Sequence, residues 1–264
     1  EDGIRDLSLS LVGSEMCIRD RLYSSRKFPP LSETLGMLAD TGYTQVEGYG
    51  ALFQDDTDLA ALKAQLDSAG LTMPTAHIGL DLLSERPARA IEIVTALGIE
   101  AVIGPHLAEA DRPTTAAGWE GFGRTLAEVA KPLQDAGCVV GWHNHAFEFE
   151  RVEGKLPMDL ILAGSDTLMV EFDVAWCVKG GEDPLPWIEA NRTRIAGAHI
   201  KDIAHEGEAM DEDGWADVGM GTMDWPALMA ALRKTACRWF IAEHDNPNDH
   251  RRFASRSIEA AKTF

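Results

Sequence analysis

From Leu22 onward the chain repeats one pattern eight times: a short strand-like run, then a longer run with helical apolar spacing. Strands joined through helices of this length must lie parallel, because the helix carries the chain back across the sheet. Eight such units fitted into residues 22–264 predict a closed (β/α)8 barrel in a single domain. The strands read as YTQVEGYG ending at Glu47, LTMPTAHIG ending at His77, IEAVIGPH ending near His106, CVVGWHNH, TLMVEFDVAW, IAGAHIKD and CRWFIAEHD. LYSSRKF stands as the remainder of a truncated first strand. Helices fall at 31–42 (Ser32 as N-cap, Gly42 as stop), 58–70, 87–98, 119–137, 158–164, 183–194 and 223–235, and the chain closes with HRRFASRSIEAAKTF. The alternative, an open doubly wound sheet, lacks a GxGxxG at the start of any helix.

Residues 1–21, EDGIRDLSLSLVGSEMCIRDR, stand apart. They lack an initiator Met, a basic region and a long apolar stretch, so they are not a signal peptide. The string resembles a translated sequencing-adapter sequence, which sets it outside the barrel domain at 22–264. Charge narrows the partners. The 43 acidic residues outnumber 24 basic ones, and a net −19 repels a phosphate backbone, so nucleic acid is not expected. No apolar run is long enough to span a bilayer. Cys17, Cys138, Cys177 and Cys237 show no paired spacing, which argues for a reducing, cytoplasmic setting and against a thiolate zinc site. A homo-oligomer is compatible with everything in the sequence.

In a barrel of this type the site lies at the C-terminal ends of the strands. Those ends carry Glu47, His77, His106, the cluster GWHNHAFEFE (141–150), Asp173, then His199 with Lys201 and Asp202, then Glu243 with His244 and Asp245. Carboxylates gathered so closely repel one another, and burial adds to the cost. A divalent cation held by oxygen ligands and an imidazole resolves this; Mn2+ suits the set best, with Mg2+, Co2+ or Zn2+ as alternatives. Glu47, His77, His106, Trp176 and Asp202 are candidate substrate contacts, against plainer roles as rim, wall or orienting residues. VGMG (218–221) reads as a tight turn bringing Asp217 near the mouth, and the acidic stretch 205–217 as a solvated loop over it that can act as a lid.

WHNHAFEF, EFDVAW, AHIKD, DVGMGTMDW and FIAEHD, in this order, resemble the sugar phosphate isomerase/epimerase family of xylose-isomerase-like TIM barrels. LYSSRKFPPLSETL and TQVEGYG extend the resemblance over roughly 22–262. It implies a metal set of Asp173, His199, Glu243 and a fifth-strand ligand, for which Glu148 is chosen, with His143 or His145 as alternatives. It also implies a metal-dependent isomerase or epimerase. Such an enzyme takes a proton from the carbon beside a carbonyl of a small sugar and passes through a metal-stabilised enediolate. Glu148 and Glu243 would then move the proton, and Lys201 would neutralise an oxyanion. The second hypothesis is a carbon–oxygen lyase or hydratase on a keto-sugar, inosose or 3-keto-glycoside, with His143 and His145 as acids for the leaving oxygen. The third is a sugar-binding protein without catalysis.

Overall fold

The computed structural model describes residues 18–264. Most of the segment set apart at 1–21, and Cys17 with it, therefore lies outside the described residues. Eight parallel strands close into a barrel: β1 (Ile18–Arg21), β2 (Gln45–Gly48), β3 (Thr72–His77), β4 (Ala101–Gly104), β5 (Val139–His143), β6 (Met169–Asp173), β7 (Ile195–Ile200) and β8 (Trp239–Ala242). Each pairs with its neighbours in sequence, and β1 closes against β8. The strands are buried over nearly their whole length, as parallel strands covered on both faces must be.

Among the described residues ten helices surround them: α1 (Leu31–Thr41), α2 (Leu59–Ser68), α3 (Leu80–Glu85), α4 (Pro87–Leu97), α5 (Ala116–Asp135), α6 (Pro157–Ala163), α7 (Val174–Lys179), α8 (Pro184–Ala190), α9 (Trp225–Leu232) and α10 (His250–Ala261). Their starts follow local chemistry. The side chains of Asp58, Thr115, Asp224 and Asp249 accept backbone N–H groups in the first turns of α2, α5, α9 and α10. Proline occupies the first turn of α4, α6, α8 and α9, where its missing N–H costs nothing. Leu35, Leu38, Leu62, Leu66, Ile93, Val94, Leu126 and Leu133 are the inward rows of the first long helices and lie in the core. Each fully buried side chain of this kind contributes about 1.5–3 kcal/mol.

Two expectations need correction. LYSSRKF is not the first strand: Leu22–Ser25 forms a 3-10 turn, and the charged IRDR immediately before it forms β1. Backbone pairing with β2 and β8 sets that strand, although its residues give no apolar run. Ser32 lies inside α1, whose N-cap is the extended Pro30. The stretch 205–217 is largely exposed, as a solvated loop should be, and an antiparallel ladder between Asp202–Ile203, just before it, and Trp215–Ala216 closes its base. Its Glu212 binds the Arg252 guanidinium at 2.8 Å, and Asp211 accepts from Asn248 at 2.6 Å.

Candidate metal centre

Register brings the polar strand ends level with one another. His143 of β5 stands opposite Glu171 of β6, and Asp173 of β6 opposite His199 of β7. Alternation along a strand then points Glu171, Asp173 and His199 into the barrel, with Glu171 one layer deeper than Asp173.

Four fully buried residues form the upper group. His143, Asp173, His199 and Glu243 offer ligand atoms that all lie within 4.8 Å of one another. Both ring nitrogens of His143 and Asp173 Oδ2 have no hydrogen-bond partner among the described residues, and His199 Nδ1 and Glu243 Oε2 face each other as an ion pair at 2.7 Å. Buried polar atoms are rarely left without a partner, and a group of this composition and spacing could hold a cation. Asp173 is held in place from two sides. Its Oδ1 accepts from the N–H of Trp176 at the start of α7, and Asn144 grips its backbone, accepting from Asp173 N at 2.9 Å and donating to Asp173 O at 3.0 Å. Only Oδ2 remains for a ligand.

Electrostatics separate the imidazoles. Burial drives His143 well below the usual histidine range, with His199 adding to it, so His143 is neutral and able to ligate. Burial likewise lowers His145, helped by His106 and Lys201. Burial also opposes charge on His199, but Glu171 and Glu243 outweigh it and hold that ring well above its normal value. Lys201 is fully buried. Burial is again overcome, here by Asp245, Glu243 and Asp173, so its ammonium stays charged. It lies beside Asp245, 3.6 Å from Glu243 Oε2 and 4.2 Å from the centre of the Trp215 ring.

Glu148 lies apart from that group. One oxygen accepts from the Trp142 indole at 2.9 Å and the other from His145 N at 2.7 Å. With both oxygens engaged it braces the 3-10 turn Ala146–Phe149 that follows β5. Burial pushes its carboxyl up to about 8, against the hydrogen bonds from Trp142 and His145. Trp142 in turn needs Gly104: a Cβ there would meet its ring at 2.8 Å.

The remaining candidates divide. Glu47 and His77 are interior, 3.3 Å apart, and belong to the layer below the upper group. His106 is exposed, its ring 5.0 Å from that of His145, and the Trp176 ring lies 5.5 Å from His145 on the other side. These two and His145 form an aromatic wall above the group. Asp202 spends its oxygens on Gly219 N, Met223 N, Ile203 N and the Trp225 indole, which shapes the turn at 218–223. Asp217 is bound by Arg252 and Arg256. Sequence reasoning passed over Glu171, which lies 3.0 Å from His199 Nε2 and 2.5 Å from His77 Nε2. Its position two residues before Asp173 on one strand was the available signal.

A family model described as "Xylose isomerase-like TIM barrel" matches residues 35–263. Among curated proteins, the chain is 26% identical over 144 residues to "Rhizopine catabolism protein MocC" of Rhizobium meliloti. That match takes in 49% of this chain and only 44% of the relative's length. Among solved structures, a sugar phosphate isomerase/epimerase from Parabacteroides distasonis superposes with a TM-score of 0.80 at 21% identity, covering 97% of this chain and 96% of that one. The IOLI protein, solved with a bound zinc atom, gives 0.74 at 16% identity, covering 94% and 96%. At such identities the structural likeness speaks for the fold alone. Among the described residues no helix is long and apolar enough to cross a membrane.

Proposed function

The chain belongs to the xylose isomerase-like TIM barrel family, and from that premise we propose that it is a divalent-metal-dependent isomerase or epimerase acting on a small keto- or aldo-sugar. The observation that carries this reading is the convergence of four buried ligand atoms, one each from His143, Asp173, His199 and Glu243, within 4.8 Å of one another. They are the residues that would hold the cation. Two neutral-type nitrogen ligands beside two carboxylates move the preference from Mn2+ toward Co2+ or Zn2+, and away from Mg2+. When bound, such an ion supplies Lewis-acid polarisation of a carbonyl and its neighbouring hydroxyl.

The chain's own groups do the rest. Lys201, charged and 3.6 Å from Glu243, stabilises negative charge growing on a substrate oxygen. His145, neutral and partly exposed on the wall between His106 and Trp176, is the group suited to move a proton. Trp176 presents a ring face for the C–H side of a sugar. Cytoplasmic residence and a small-molecule sugar partner are part of the same proposal, in keeping with the scattered thiols and the net charge of −19.

A second reading has its own support. Proton transfer by two facing carboxylates needs Glu148 as one of them, yet both its oxygens are engaged below the wall. A single imidazole that both removes and returns a proton suits carbon–oxygen lyase chemistry on a 3-keto-glycoside or inosose. Incubation with Co2+ in D2O separates the two. A panel of free ketoses and aldoses should take up deuterium at the carbon beside the carbonyl. Release of aglycone from a 3-keto-glucoside, with no exchange in any free sugar, would reverse the order of the readings.

A further inference from the structure

We propose that Glu171 is a positioning residue: with Glu47 it accepts the Nε2–H of His199 and thereby turns the Nδ1 of that ring toward Asp173, Glu243 and His143. The inference rests on the cation site of the preceding section and deepens it by one layer.

The geometry begins with one oxygen. Glu171 Oε2 lies 3.0 Å from His199 Nε2 and 2.5 Å from His77 Nε2. An ionised carboxylate only accepts, so both Nε2 atoms carry hydrogen. The other nitrogen of His77 agrees: Nδ1 faces the Arg21 guanidinium at 2.7 Å, and a guanidinium only donates. Glu47 Oε1 accepts from the same His199 nitrogen at 3.1 Å, so the two carboxylates share that hydrogen from the β2 and β6 sides. The rings of His77 and His199 stack with 5.5 Å between centres and 10° between planes, so His77 holds Glu171 and Glu171 holds His199. On the opposite edge, His199 Nδ1 is 2.7 Å from Glu243 Oε2 and 3.7 Å from Asp173 Oδ2, within the upper group.

His77, His143, Glu171 and His199 also offer atoms within 4.8 Å of one another, close enough for a cation of their own. Hydrogen on both Nε2 atoms opposes that use. A ligating histidine generally gives its second nitrogen to a carboxylate, and loss of that partner costs about 10- to 100-fold in metal affinity.

The test uses the full chain stripped by chelation and titrated with Co2+ below its melting transition, with no substrate present. The wild type should bind one Co2+ per chain. Glu171→Leu should raise the Kd about 10- to 100-fold, while Glu171→Gln, which keeps an accepting oxygen, stays within about 10-fold. Nitrogen-15 spectra of the histidine rings supply a reading that a merely structural role would not move. A slowly exchanging His199 Nε2–H should appear in the wild type with or without Zn2+, persist in Glu171→Gln and exchange faster in Glu171→Leu, where Glu47 alone is left to accept it. Should Glu171→Leu fail to fold, Glu171→Asp withdraws the acceptor by one methylene and carries the same expectation. An unchanged Kd with the ring signal intact in Glu171→Leu overturns the proposal. So do two Co2+ per wild-type chain that fall to one in Glu171→Gln and His77→Gln, which would make the deeper layer a metal site. A wild type that takes up no Co2+ yet keeps the ring signal would sink the metal reading and leave Glu171 orienting the imidazole.

Discussion

Strands β1 and β6 are both short, both buried, and both rich in charge: IRDR against MVEFD. In β6 the charges are supplied with partners. Glu171 meets two imidazoles, and Asp173 has its backbone gripped by Asn144 and one oxygen satisfied by the N–H of Trp176. A single oxygen is left over, and it points where three other such atoms point. In β1 the carboxylate of Asp20 is buried with neither oxygen hydrogen-bonded, and burial, with Glu243 adding, drives it well above the usual carboxylate range. Asp20 pairs in register with Val46 and Ala242, apolar positions that face the helices. The difference teaches that buried charge makes a site only where neighbours satisfy all but the convergent atoms. Elsewhere it is a cost of about 1–3 kcal/mol or more per group.

The comparison breaks most visibly at Asp173. Asp173→Ala should abolish stoichiometric Co2+ uptake and lower turnover by about 10³-fold while the barrel stays folded. Retention of both in the variant would mean that the β6 side does not converge on a cation. Next is Asn144→Ala, which strips partners from the N–H and C=O of Asp173. It should cost about 2–3 kcal/mol in denaturant unfolding and about 10-fold in Co2+ affinity. A loss of stability with affinity untouched would reduce Asn144 to a strand clip.

On the other wall the sign inverts. Asp20→Val should stabilise the chain by about 1–3 kcal/mol, which at this size raises the Tm by several degrees. A lower Tm would show that Asp20 has a role that its lack of hydrogen bonds conceals. The smallest effect sharpens the comparison within the β5 turn. The folded-state value of Glu148, about 8, exceeds its unfolded value, so between about pH 4.5 and 8 the folded chain holds the extra proton. Its contribution is therefore fully present at low pH and is lost as pH rises through 8. Glu148→Gln should flatten the fall in Tm between about pH 4.5 and 8, and an unaltered slope would assign that fall to another group.

Much of this was legible in the chain alone. The eight-fold alternation gave seven of the strands to within a few residues, because their apolar runs are long enough to read. The first strand was not, since IRDR has no apolar pattern and is recruited by the open edges of β2 and β8. Asp173, His199 and Glu243 were legible as polar residues ending apolar strands. The separation of Glu148 from the upper group was not, because it depends on a 3-10 turn that swings Glu148 back onto Trp142. The deeper layer escaped for a different reason: Glu171 and His77 touch only through barrel closure, across 94 residues of sequence.

Trp176 and Trp215 stand with ring centres 4.8 Å apart at 74°, and the Lys201 ammonium lies between them and the carboxylates. Fixed positive charge at their faces comes from Lys201 and from Lys179, whose ammonium lies 3.4 Å from the centre of the Trp215 ring, and it sets the colour of their emission. The centre thus carries its own optical gauge: anything that displaces Lys201 will shift the fluorescence and the near-ultraviolet dichroism, with no dye attached and no turnover required.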